Sequence, residues 1–313
     1  MQCFLKGGIV LGALALGLSA NAGPLGLAND FNAVVFGDWN SNGGHSDGSV
    51  AIQGNAKGNY EFKQRPSPQV PTPNFGSNGQ VGVVVGGNKW ATGVMRTLNG
   101  NAYVGGTRTG DIQVNNGFQL RNAGSDTNTI FIQMYQRAVT QGQLMAALTG
   151  ITLPTANPNN LSVNLGAGRT SGQRFVYNVD SSALGQLKTL DIQNLRGDDT
   201  IVFNVRGDDR VTWAWSVNAP TYSGIIWNFI DAKAIDVSQR QFNGTLFAPK
   251  SSLIMRQNVE GNVLVSSMDI VGGPELHFGN RFQFQGDVPV PEPATLIALA
   301  AGIGALARKR RRS

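Results

Sequence analysis

Val81-Gly82-Val83-Val84-Val85-Gly86 is followed by Ala102-Tyr103-Val104-Gly105, two short apolar runs closed by Gly86 and Gly105. Farther along, Gly244-Thr245-Leu246-Phe247 and Gly261-Asn262-Val263-Leu264 open similar runs at a slightly shorter interval. Val50-Ala51-Ile52-Gln53-Gly54 and Asp111-Ile112-Gln113-Val114-Asn115 have the same form. Period-2 runs bounded by Gly and Asn read as strands joined by tight turns. Gly-Asn-Ala recurs at Gly54 and Gly100, and Gly-Asn-Val at Gly261. A loose period of just under ~20 residues is one coil of a repeat that buries its core only by stacking. The expected fold is therefore mainly β, a parallel β-solenoid (β-helix). An antiparallel sandwich would supply the same short strands and turns.

One segment departs from this pattern. From Asn128 to Thr149, apolar residues fall at Phe131, Met134, Tyr135, Ala138, Met145 and Leu148, which is helical spacing. The expected helix covers about 128–149; Asp126, Thr127 or Asn128 can cap it, Gly150 can end it, and Gly142 weakens its middle. Its length, roughly 33 Å, equals about seven coils at ~4.8 Å, so it can lie along the solenoid or form a connecting loop. Pro66, Pro68, Pro71 and Pro73 mark an extended surface connector between early coils, or a segment recognised by a partner.

Both ends read as processing signals. Lys6, the apolar stretch Gly7–Leu18 and Ala20-Asn21-Ala22 form a signal peptide over 1–22, cleaved between Ala22 and Gly23. At the other end, 288–313, Val290-Pro291-Glu292-Pro293 precedes an apolar stretch, 294–307, and Arg308-Lys309-Arg310-Arg311-Arg312. Such a stretch, if helical, reaches roughly 21 Å, short of the roughly 30 Å hydrocarbon core, as suits a transient transmembrane segment. The terminal bases stay cytoplasmic, leaving residues 23–287 outside. Cys3 is lost with the signal peptide, so the body has no thiol for disulfides or metals. The net charge of +6 also belongs to the ends: 19 basic and 18 acidic residues remain without Lys6, the terminal bases and Glu292. A body near +1 lacks the basic excess of a nucleic-acid binder.

The order of motif, apolar stretch and basic cluster resembles the PEP-CTERM sorting signal of exopolysaccharide-producing Gram-negative bacteria. That resemblance implies recognition of Glu292 and its flanking prolines by a membrane exosortase, after signal peptidase has acted. The body resembles the choice-of-anchor A family of bacterial surface proteins. The residues that carry the likeness are Phe31 to Asp38, Gly48 to Gly54, Ile225 to Ala232, Phe242 to Pro249, Val259 to Val265 and Gly272 to Phe278. The coil Gly244-Thr245-Leu246-Phe247-Ala248-Pro249 is also similar to ice-binding-type β-solenoids, which pack a long helix along their coils. The family implies no catalytic residue, and no cofactor is expected beyond Ca²⁺ as an alternative at Asp198, Asp199, Asp208 and Asp209.

Little in the body suggests chemistry. His45 lies in a glycine-rich turn; Glu275 and His277 share one strand face. Two ligands fall short of a zinc site, so no metal is expected there. Arg196-Gly197-Asp198-Asp199 and Arg206-Gly207-Asp208-Asp209 bracket a strand. At ~3.3 Å per residue the two turns lie roughly 20 Å apart, too far for one Ca²⁺ or a carboxylate pair. Each reads as a salt-bridged turn, with Ca²⁺ the alternative. Trp213 with Trp215, and Trp227 with Phe229, share strand faces, as core or as exposed sugar platforms. The expectation is a non-enzymatic structural or adhesive protein of the surface or biofilm matrix. It passes through an inner-membrane intermediate and is then retained at the surface or secreted, with exopolysaccharide or matrix proteins as partners. The alternatives are a polysaccharide-active enzyme on a β-helix and an ice-binding protein.

Overall fold

A computed structural model describes residues 23–89, 93–155, 159–279 and 281–290. The expected signal peptide, 1–22, and the sorting residues from 291 onward, with the stretch 294–307, lie outside these. Among the described residues, no helix is long and apolar enough to cross a membrane.

Pairing between strands is parallel throughout. This rejects the sandwich and gives a solenoid with three faces. Parallel neighbours need a crossover, which each coil supplies by running round the other two faces. Ala33 lies on Val50, Val83 on Ala102 and Leu246 on Val263. These are narrow coils, each a little under about 20 residues. Between 151 and 229 the coils widen: Ile151 lies on Tyr177, Arg174 on Thr200 and Ile201 on Ile225. Each wide coil takes about 25 residues, still within the range of one solenoid repeat.

The stacking order differs from the chain order. Ala33–Val35 sits between Val50–Ile52 and Val263–Ile270, so the first coil lies on the last. From there the chain stacks outward through Val81–Val85 and Asn101–Val104 to Leu120–Asn122 at one end. The helix follows, and Ile151–Thr152 begins the other end. The coils then stack back through Arg174–Asp180, Thr200–Arg206, Ile225–Phe229 and Thr245–Met255. These eleven strands of the first face rise about 48 Å at ~4.8 Å each, taller than the seven coils the helix length suggests.

The helix runs Thr127–Ala146, ending short of the expected 128–149. Phe131, Met134, Ala138 and Met145 pack on the outer side of the first face, against Val34, Ala51, Val202, Phe247 and Leu264. Val35, Ile52, Val85 and Val104 point from the same face into the solenoid core. Burial on both sides explains why this face reads as continuous apolar runs such as Val83-Val84-Val85. Gly142 is a close approach here: a Cβ would lie 3.3 Å from Phe247 and from Asn228 Oδ1, and its carbonyl accepts from Asn228 Nδ2 at 3.0 Å. Asn204 Nδ2 donates to Met145 O at 2.8 Å, and Arg206 Nη2 to Ala146 O at 3.0 Å. The last helical carbonyls thereby gain donors and a cation suited to the helix dipole. At the other end Asp126 does not cap the helix with its side chain; its carboxylate accepts from Ser77 N and Oγ at 2.9 and 2.7 Å. That fixes the proline connector to the helix. Val70 and Phe75 of the connector are fully buried, and the Phe75 ring sits 4.7 Å from Phe131, so it is part of the core as well as a surface loop.

The wide coils are filled by rings. Register puts Tyr177 on Phe203 and Phe203 on Trp227, and their planes stack at centroid distances of 5.6 and 4.0 Å. Trp213 and Trp215, expected on one strand, flank a corner between Arg210–Thr212 and Trp215–Asn218. Both are buried, as are Trp227 and Phe229, so none of the four is a sugar platform. A polar ladder holds one corner of the narrow coils. Asn55 N donates to Asp38 Oδ1, Asn88 N to Asn55 Oδ1 and Thr107 N to Asn88 Oδ1, at 2.7, 3.0 and 2.7 Å. Gly54-Asn55 therefore stacks on Gly87-Asn88; the similar Gly100-Asn101 belongs to another corner.

Candidate functional site

The two acidic turns lie at opposite ends of Thr200–Arg206. Asp199 is fully buried and receives both guanidinium nitrogens of Arg169, at 2.6 and 2.7 Å. Burial would raise its carboxyl, but Arg169 and the backbone N–H groups of Arg196 and Gln173 outweigh that and hold it below the ordinary range. Its cation comes from the preceding coil and not, as the motif suggests, from Arg196, which pairs with Asp198 at 2.9 Å. Asp209 meets Lys233 at 2.5 Å, while Asp208 is held through its backbone N–H, which donates to Ser181 Oγ at 2.6 Å. The carboxylates of Asp198, Asp199 and Asp209 are thus engaged by cations, as salt-bridged turns require.

A different cluster forms on the third face, where the first coil meets the last. The strand Trp39–His45 ends beside Leu276–His277 through a bridge between Ser46 and Leu276. Gly43 and Gly44 carry positive φ, 103° and 98°, and a Cβ on Gly44 would lie 2.2 Å from Pro274 O. Only glycine lets these loops approach so closely, and the approach brings His45 Nδ1 to 3.3 Å from Glu275 Oε1. His277 Nε2 is 2.9 Å from the other oxygen of Glu275, and its Nδ1 is 2.6 Å from Glu260 Oε1. Glu260 is nearly fully buried. Its carboxylate, opposed by burial and helped by Glu275, pushes the His277 pKa up to about 9. Tyr60 donates its hydroxyl to His45 O at 2.6 Å; burial, with Glu275 and Asp47 nearby, raises its pKa well above the ordinary phenol value. Sequence reasoning pairs Glu275 with His277 but leaves out His45 and Glu260. The register Glu260–His277 supplies one, and the closure of the coil stack supplies the other.

The same face carries a shallow cleft of about 400 Å³. Asn218, Tyr222, Arg240, Gln241, Asn243 and Gln257 are among the residues that line it. Asn243 lies in register with Glu260 and, one coil on, His277, so the cleft and the histidine cluster share a polar strip. Gln241 Nε2 donates to Asn243 Oδ1 at 2.9 Å, and Asn243 Nδ2 to Val217 O at 3.0 Å, which fixes the amide orientations.

The model of the ice-binding-like adhesive domain matches residues 24–278, nearly the whole described body. The chain belongs to this adhesive-domain family. The PEP-CTERM protein-sorting motif matches residues 289–312, which implies export with sorting at the cell surface and processing by an exosortase. No curated protein matches the chain. Among solved structures, the ice-binding protein 1 domain of Shewanella frigidimarina is 15% identical, with 83% of this chain and 98% of that one covered and a TM-score of 0.40. An ice-binding protein from an Antarctic biological consortium is also 15% identical, covering 83% and 91%, with a TM-score of 0.30.

The second face of this adhesive domain displays a mixed row. Thr212, Asp236, Ile254, Asp269, Asn40 and Lys57 align across six coils, while Val211, Ile235, Leu253, Met268 and Trp39 between them point inward and are buried. Asn40 Nδ2 bonds Asp269 at 2.9 Å, and Arg96 bridges Glu61 and Gln113 at 2.5 and 2.9 Å. Among the described residues this row holds one threonine, two aspartates, an isoleucine, an asparagine and a lysine, unlike the ordered threonine rows of an ice-ordering plane.

Proposed function

We propose that the adhesive domain acts outside the cell as a non-enzymatic module of the biofilm matrix, holding exopolysaccharide in the cleft on its third face. The observation that supports this reading is the lining: amides of Asn218, Gln241, Asn243 and Gln257 with the Tyr222 ring. Neutral amides donate and accept at once, which matches sugar hydroxyls, and a tyrosine adds an apolar surface with a polar edge. A catalytic reading has less support, because Asp198, Asp199 and Asp209 are taken up by Arg196, Arg169 and Lys233. Export proceeds through signal peptidase and exosortase, with the membrane segment 294–307 as a transient intermediate. Co-sedimentation of the protein with the host's exopolysaccharide tests the proposal. Wild type should pellet with the glycan, and Gln241→Ala with Gln257→Ala should release it; equal pelleting of both, or cleavage of the glycan, would refute it.

A further inference from the structure

We infer that His45, Glu275 and His277 form a binding site for a divalent transition metal of the zinc class, placed across the seam between the first and last coils. One atom from each residue lies within 4.8 Å of the others. Zinc bonds to imidazole nitrogen and carboxylate oxygen are about 2.0–2.2 Å, so ligand atoms in a tetrahedral shell sit about 3.3 Å apart. His45 Nδ1 and His277 Nε2 stand 3.3 and 2.9 Å from the oxygens of Glu275. Each histidine nitrogen thus lies near the required ligand separation from one oxygen of the same carboxylate, Oε1 for His45 and Oε2 for His277, and side-chain adjustment would bring the three groups round one ion.

Glu260 supplies the outer support. A histidine that binds a metal through one ring nitrogen usually donates from the other to a carboxylate, which fixes the ring and its tautomer. Glu260 occupies that position, buried, 2.6 Å from His277 Nδ1. Binding keeps the Nδ1 proton on this hydrogen bond and sends any Nε2 proton to solvent. Three protein ligands leave a fourth position open to water or to an oxygen of a bound molecule. Imidazole and carboxylate together suit zinc and its neighbours rather than calcium, which takes six or more oxygens.

The location gives the ion a structural role. His45 belongs to the first coil and Glu275 with His277 to the last. The ion would cross-link two coils that are adjacent in the stack but lie at opposite ends of the body's sequence. Metal bound there adds its affinity to the folded state.

Calorimetric titration of the EDTA-stripped full chain with ZnCl₂ tests the site. The expected result is one zinc per chain with a micromolar or tighter Kd and a rise in Tm. His45→Ala and Glu275→Gln should each weaken binding by about 100-fold, and Glu260→Gln by about 10- to 100-fold as a positioning residue. Circular dichroism in EDTA checks that these variants fold. CoCl₂ reads the site without any substitution: intense visible ligand-field bands at one equivalent support it. A spectrum that stays that of the hydrated ion, the absence of binding at millimolar zinc, or unchanged affinity in the folded His45→Ala and Glu275→Gln variants would overturn it.

Discussion

The wide coils between 151 and 229 and the narrow coils on either side of the seam solve the same packing problem differently. The wide coils enclose a broad cross-section, filled by Tyr177, Phe203, Trp213, Trp215 and Trp227. The narrow coils hold mainly Val, Ala and Ile in their first face and rely on glycine contacts and the Asp38–Asn55–Asn88 ladder at their corners. Rings also cluster in the narrow coils, where Trp39, Tyr60 and Phe62 lie 5.0–5.7 Å apart, so the contrast belongs to the first face: stacked rings in the wide coils, small aliphatic side chains and close backbone contacts in the narrow ones. The stacked rings follow from parallel register, which places like positions ~4.8 Å apart.

Substitutions can break this contrast, and unfolding in urea measures each. Trp227→Ala removes the ring that contacts both Phe203 and Trp213 and should destabilise by about 3–5 kcal/mol; a loss below that of a surface change would mean the wide coils do not depend on their rings. Asp199→Asn leaves Arg169 without its carboxylate and should lower stability. Because the folded pKa of Asp199 is depressed, its contribution is full above about pH 4 and lost as pH falls through the folded value. The Asn variant should therefore show a flatter loss of stability in acid than wild type. In the narrow coils, Gly105→Ala would set a Cβ 2.3 Å from Gly86 O and should destabilise by about 1–3 kcal/mol. Asn55→Ala, which removes the Oδ1 that accepts from Asn88 N, should remove only about 1 kcal/mol.

The narrow coils are also the legible ones. The glycines that bound their runs, Gly86 with Gly105 and Gly244 with Gly261, stack as the spacing suggests, and the helix follows from Phe131, Met134, Ala138 and Met145. The wide coils hide the period, because their extra residues lengthen the interval beyond that of their neighbours. Asn55 and Asn88 stack although the proline connector lies between them, which disguises the ladder and makes Gly100 look like the partner. The cleft is hidden for a similar reason, since Asn218, Gln241 and Gln257 meet only through coil stacking. The histidine cluster is least visible: His45 and Glu275 lie near opposite ends of the body, and nothing local to either one reveals that the stack closes there.

The central claim is that this solenoid works outside the cell as cargo, holding a polar glycan. Mass spectrometry of the surface and secreted fractions, with and without glycan-degrading treatment, tests it most directly. The expected species begins at Gly23, ends near Pro291–Pro293 and carries the host's exopolysaccharide. A chain retained in the cytoplasm with Met1 and the terminal arginines intact, or an exported chain free of glycan, would contradict the account.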